Sequence, residues 1–170
     1  MTSSERSAAR LLGTLREVDG KGAVRMEDRY DTDIDDLWSA ITDPDRLARW
    51  YGAAEGDFRV GGEFRLKVHA SGWEGVRRVK ECEPPRHLIL VGQEQDDPFE
   101  MITEVWLTAD GDQTILVMEE RGMPLEYVTA YGAGIQIHVE DLAAYLRGDE
   151  RCDSDARMSV LWPAYQALQD

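Results

Sequence analysis

LEYVTAYGAGIQIHVEDLAAYLRG, Leu125–Gly148, sets Leu125, Val128, Gly132, Ile135, Val139, Leu142 and Leu146 at alternating spacings of three and four. That spacing predicts one amphipathic helix of about twenty residues, stopped by Gly148. A long helix with a single apolar face needs a broad apolar surface to receive it. The residues before it supply one.

Upstream the period is two. GEFRLKVHA places Phe64, Leu66, Val68 and Ala70 on one face and Arg65, Lys67 and His69 on the other, after the turn pair Gly61-Gly62. VRMEDRY, AAEGDFRV, GWEGVRRVKECE, HLILVGQ, MITEVWLTA and QTILVMEER continue the series, broken by PPR, DDP and DGD, so that seven strands are expected. Their connections are of hairpin length, and parallel neighbours would need long crossovers, so the sheet is antiparallel. Between the first two strands, Thr32 or Asp33 caps a short helix with the stripe Ile34, Leu37, Trp38 and Ile41. Asp43 caps a second, with Pro44 at its tolerated first position and Gly52 after Leu47, Trp50 and Tyr51. The predicted fold class is α+β: a seven-stranded curved antiparallel sheet wrapped around a long C-terminal helix, with two short helices after the first strand.

The chain of 170 residues, 42% apolar, is the size of one domain with one core. Residues 1–22 read as an N-terminal arm, in which Ala8, Leu11, Leu12, Leu15 and Val18 have helical spacing until DGKG ends it. Residues 23–148 form the domain itself. Residues 149–170 form a helical tail packed on the same domain, its helix divided by Pro163.

With 34 acidic against 19 basic residues the net charge is -15, which repels phosphate backbones and anionic lipid surfaces. Nucleic acid and membrane insertion are excluded as partners on that ground. The acidity is spread along the chain, which reads as solubility. Cys82 and Cys152 show neither a disulfide framework nor a zinc spacing, and no run reaches a signal or membrane-spanning length. A cytoplasmic protein with reduced thiols is the expectation.

Chemistry-bearing motifs are few. DTDIDD superficially matches the start of a calcium loop, but a loop from Asp31 would need glycine where Asp36 stands and glutamate where Thr42 stands, so helix capping explains the cluster. His69, His87 and His138 have no metal-ligand spacing. No nucleophile motif or P-loop occurs, so catalytic, metal and cofactor assignments are all none. His138 lies on an edge of the long helix with Tyr127, Tyr131 and Tyr145, where it can meet a pocket. Gly132 and Gly134 each cost about 1 kcal/mol against alanine in a helix. Gly132, on the sheet-facing stripe, reads either as a pocket wall or as a packing notch.

The order of elements is the helix-grip arrangement, and the local wording resembles the activator of heat-shock-protein-90 ATPase homologue branch of the START-like (SRPBCC) superfamily. LWSAITDPDRLARWYG, VGGEFR, GWEGVRRVKECEPPRHLIL, TADGDQTILVMEE and GIQIHVEDLAAYLRG carry the likeness, from about Val24 to Gly148. Such proteins often have Gly-Trp where this chain has Gly134-Ile135, so no role of that indole transfers. The resemblance implies an apolar, lipid-binding-like cavity between sheet and helix. It points first to a module binding a small hydrophobic ligand, second to a chaperone ATPase activator-like module with a protein partner, and third to an enzyme of the cyclase or dehydratase kind. The expected cavity lining is Trp50, Phe64, Leu66, Val68, Tyr131, Gly132, Ile135 and His138. Trp50 and Tyr51, ahead of Gly52, are expected to pack on the sheet edge or to form a mobile lid over that cavity.

Overall fold

The computed structural model describes residues 10–93 and 99–169. The DDP turn and the first nine residues of the arm lie outside the described residues. Eight strands, β1 Gly13–Val18, β2 Lys21–Tyr30, β3 Gly52–Gly56, β4 Glu63–Val68, β5 Glu74–Glu83, β6 His87–Gln93, β7 Glu100–Asp110 and β8 Gln113–Met123, form one sheet in the order β1-β2-β8-β7-β6-β5-β4-β3. Every neighbouring pair is antiparallel. The count is eight and not the expected seven because Gly13–Val18, whose spacing also fits a helix, turns back at Asp19-Gly20 and pairs with β2. Both turn residues take positive φ, as a two-residue hairpin demands.

Alternation along the strands sorts the two faces. Met101, Thr103, Val105 and Leu107 of β7 point inward, as do Phe64, Leu66 and Val68 of β4. The inner face receives α3, Val128–Arg147, which follows a 3-10 turn at Leu125–Tyr127 and ends in the left-handed Gly148. Eleven residues of α3 are buried, Ile135, Ile137, Val139 and Leu142 among them. This is the helix-grip architecture. No helix of the described residues is long and apolar enough to cross a membrane.

The tail forms α4, Ser154–Ala167, and Pro163 does not divide it. Pro163 and Ser159, whose carbonyl it leaves without a helix partner, both face solvent, so that oxygen is open to water. Polar stitches fix α4 to α3. The Tyr165 hydroxyl donates to Gln136 Oε1 at 2.5 Å and accepts from the Gly13 amide at 3.1 Å, while Arg157 holds Glu140 at 2.7 Å through two nitrogens. Gln136 also donates to the Arg10 carbonyl, so one buried amide joins arm, long helix and tail.

Candidate functional site

The two short helices, α1 Ile34–Thr42 and α2 Pro44–Trp50, roof the remaining part of the inner face. Their acidic residues work locally. Asp33 Oδ1 accepts from the Asp36 amide at 2.8 Å and Asp43 Oδ1 from the Asp45 amide at 3.0 Å, so these carboxylates cap the helices. Arg46 then ties the roof to α3: its Nε donates to the Tyr145 hydroxyl at 2.9 Å, and its Nη1 to the carbonyl and carboxylate of Asp36. The Thr32 hydroxyl and Arg46 hold the Asp36 carboxyl below its ordinary range. Trp50 is buried and donates its indole N–H to the Ala40 carbonyl at 2.9 Å.

Gly52 is a fixed point. A Cβ there would collide with the Lys67 carbonyl across the β3–β4 pair, so glycine is required by close backbone approach. The turn after Tyr51 is thereby pinned to the sheet edge.

Beneath the roof lies open space in two adjoining lobes, of about 130 Å³ and about 90 Å³. Ile41, Leu47, Tyr51, Leu88, Leu90 and Thr103 line both. The first lobe reaches Trp38, Phe58, Phe64 and Leu66, with Thr42, Arg77, Cys82 and Glu120 as polar members beside the shared Tyr51 and Thr103. The second reaches Trp50, Val105, Met118 and the α3 residues His138, Val139 and Leu142. Register explains the division: Thr103 faces Glu120 across β7 and β8, and Val105 faces Met118 one inward position further on. A polar pair therefore stands at one end of the floor and an apolar pair at the other. Thr103 Oγ1 donates to Glu120 Oε1 at 3.3 Å. Arg77 stacks on the Trp73 ring at 4.2 Å, in the room that Gly92 leaves by lacking a side chain.

His138 is half-buried and faces the second lobe. Its ring meets Tyr51 edge-on and has no hydrogen-bond partner among the described residues. Burial, with the nearby charge of Arg151, lowers its pKa from 6.5 to about 4, so near neutral pH it is an uncharged imidazole with one donor and one acceptor. Cys82, in the first lobe, has its thiol pushed up by burial, which favours the protonated, less nucleophilic form.

Of the residues expected to line a cavity, Trp50, Phe64, Leu66 and His138 come together around these lobes. Val68 is buried in the core beside them. Tyr131, Gly132 and Ile135 lie toward the N-terminal half of α3, away from both lobes. There the gap is filled: a Cβ on Gly132 would stand 3.0 Å from Tyr165 Cδ1 and 3.2 Å from Leu15 Cδ2. Gly132 is a packing notch for the tail and for β1. Lining residues that sequence reading missed include Leu88, Leu90, Thr103 and Glu120, on predicted strands; in HLILVGQ the continuous apolar run does not mark which side chains face inward. The available signal was a polar residue at an inward position, as Thr103 is between Met101 and Val105.

Residues 31–147 match the family model described as Activator of Hsp90 ATPase homolog 1-like protein. No curated protein matches the chain. Among solved structures, CalU16 from Micromonospora echinospora is similar at 26% identity and a TM-score of 0.75, over 92% of this chain and 94% of that one. DynU16, a protein in the dynemicin biosynthetic locus, is similar at 27% identity and a TM-score of 0.70 over 77% of this chain, which spans 50% of DynU16. The conserved protein EF2215 from Enterococcus faecalis, of unknown function, shares the fold at 17% identity and a TM-score of 0.73, over 99% of this chain and 100% of that one.

Proposed function

The chain belongs to the Activator of Hsp90 ATPase homolog 1-like family, and from that premise we propose that it binds a small hydrophobic ligand in the two-lobed cavity beneath α1 and α2. The observation that carries this reading is the unfilled apolar space itself, walled by Leu47, Leu88, Leu90 and Tyr51 and held open by a roof that Arg46 locks to α3. Ligand sites are concave, mostly apolar and supplied with a few polar groups, and this cavity has that composition. The similarity to DynU16, a protein in a biosynthetic locus, supports a small organic molecule as the guest.

Native mass spectrometry of freshly purified protein, before and after organic extraction, tests it. The expected result is an added mass that extraction removes. A bare protein mass that also fails to take up an apolar probe such as naphthalene would overturn it.

A second reading has one observation in its favour. Leu125 and Leu168, 41% and 54% exposed, line one open groove with Leu11 and Val128, an apolar feature suited to a chaperone or another protein partner. For the third reading, a cyclase or dehydratase, His138 is the cavity base, but an imidazole near pKa 4 is a weak base at neutral pH. It suits hydrogen bonding better than proton abstraction.

A further inference from the structure

Size bounds the guest. An apolar cavity of about 150 Å³ admits one benzene molecule, and the lobes here measure about 130 and about 90 Å³. By that measure neither lobe alone takes a ring, but the shared wall of Ile41, Leu47, Leu88 and Leu90 makes them contiguous, and the joined space admits one small ring system spanning both. A diacyl lipid or a tetracyclic skeleton exceeds this space.

Polarity sets the guest's orientation. In the second lobe the polar side chains are Tyr51, Thr103 and His138, and the lobe contains no charged side chain. Thr103 already donates to Glu120, and the Tyr51 ring lies edge-on against His138. The imidazole nitrogens have no hydrogen-bond partner among the described residues and stay accessible from the lobe, so they offer a guest one donor and one acceptor. In the first lobe Arg77 shares the wall with the Glu120 carboxyl, so an anionic guest finds no clear excess of positive charge there.

We infer that the cavity takes an uncharged ligand of up to two fused rings, spanning both lobes and bearing a hydroxyl or carbonyl oxygen that His138 hydrogen-bonds in the second lobe. This rests on the ligand-binding reading above and adds the ligand's size, charge and orienting residue. Tyr51 acts as a positioning residue by setting the plane of the imidazole.

Calorimetric titration of the full chain at neutral pH with naphthalene, 2-naphthol and 2-naphthoate tests the inference. Naphthalene is expected to bind, with 2-naphthol binding about tenfold more tightly, the increment of one buried hydrogen bond. His138→Phe removes the naphthol advantage, so that it binds naphthol and naphthalene within about twofold of each other; His138→Gln, which keeps a donor and an acceptor, retains part of the advantage. His138→Leu serves the same comparison if thermal melting shows that the larger ring disturbs the fold. Equal affinity for naphthalene and naphthol, an advantage that survives loss of the imidazole, or tightest binding of naphthoate would each overturn the inference and leave the ligand-binding reading standing. Binding of none of the three would remove that reading as well.

Discussion

The rings of Tyr51 and His138 meet edge-on, with centroids 4.8 Å apart and planes at 84°, so α2 and α3 touch at the wall of the second lobe. The imidazole there is half-buried and has no hydrogen-bond partner among the described residues. Its low pKa and its suitability for an uncharged ligand are two consequences of one placement.

That placement has a pH signature. The pKa of His138 falls from 6.5 to about 4 on folding, so between those values the unfolded chain binds the extra proton and the folded one does not. The contribution is fully present above 6.5 and is lost as pH drops toward about 4, by on the order of 3 kcal/mol. Urea unfolding of the wild type and His138→Phe, at neutral pH and near pH 4, isolates it: the wild type should lose more stability on acidification by about that amount. An NMR titration that placed the His138 imidazole near its ordinary value would contradict the prediction.

The two glycines of α3 should respond in opposite directions. Alanine is better than glycine in a helix by about 1 kcal/mol. At Gly134 the nearest atom to an added methyl is Met158 Cε at 4.0 Å, so Gly134→Ala is expected to stabilise by about that amount. At Gly132 the methyl meets the Tyr165 ring and Leu15, and the ring cannot retreat without straining its bonds to Gln136 and Gly13. Overpacking costs about 1–3 kcal/mol, so Gly132→Ala should be destabilising despite the propensity gain. Thermal melts of the pair decide; two stabilised variants would mean that the notch has slack.

Much of the fold was legible because period and punctuation are local properties. The inward row Phe64, Leu66 and Val68 and the stripe Ile135, Val139 and Leu142 are visible in the spacing alone, as are the caps Asp33 and Asp43. β1 was not, because Leu11, Leu12, Leu15 and Val18 satisfy a helical spacing equally well, and the pairing with β2 that settles the matter is a tertiary fact. The site divided in the same way. Phe64, Leu66, Trp50 and His138 follow from faces of predicted elements. The part of the groove that stays open depends on where Tyr165 lands, 33 residues beyond Gly132 in the chain, and no periodicity reports that.

Asp141 offers a test of how charge is tolerated behind the cavity. It is buried; its Oδ1 accepts from the Cys152 amide at 2.9 Å, and its Oδ2 has no partner among the described residues. Burial raises its pKa above 3.8, against the opposing pull of the Cys152 bonds and Arg151. With the folded value raised, its contribution is fully present below 3.8 and is lost as pH rises through the folded value, so at neutral pH the buried charge is a cost. Asp141→Asn keeps the acceptor for the Cys152 amide and removes the charge. Its stability at neutral pH should equal the wild type or exceed it by about 1 kcal/mol, the difference closing toward pH 4. Asp141→Ala leaves that amide unpaired and should cost about 1–3 kcal/mol at both pH values. Cys152 gives an independent readout: its thiol is pushed up to about 11 by burial and then by this carboxylate, so Asp141→Asn should also speed its alkylation by iodoacetamide. An Asn variant that is markedly less stable at neutral pH, with Cys152 no more reactive, would show that the carboxylate is a stabilising ionic partner there.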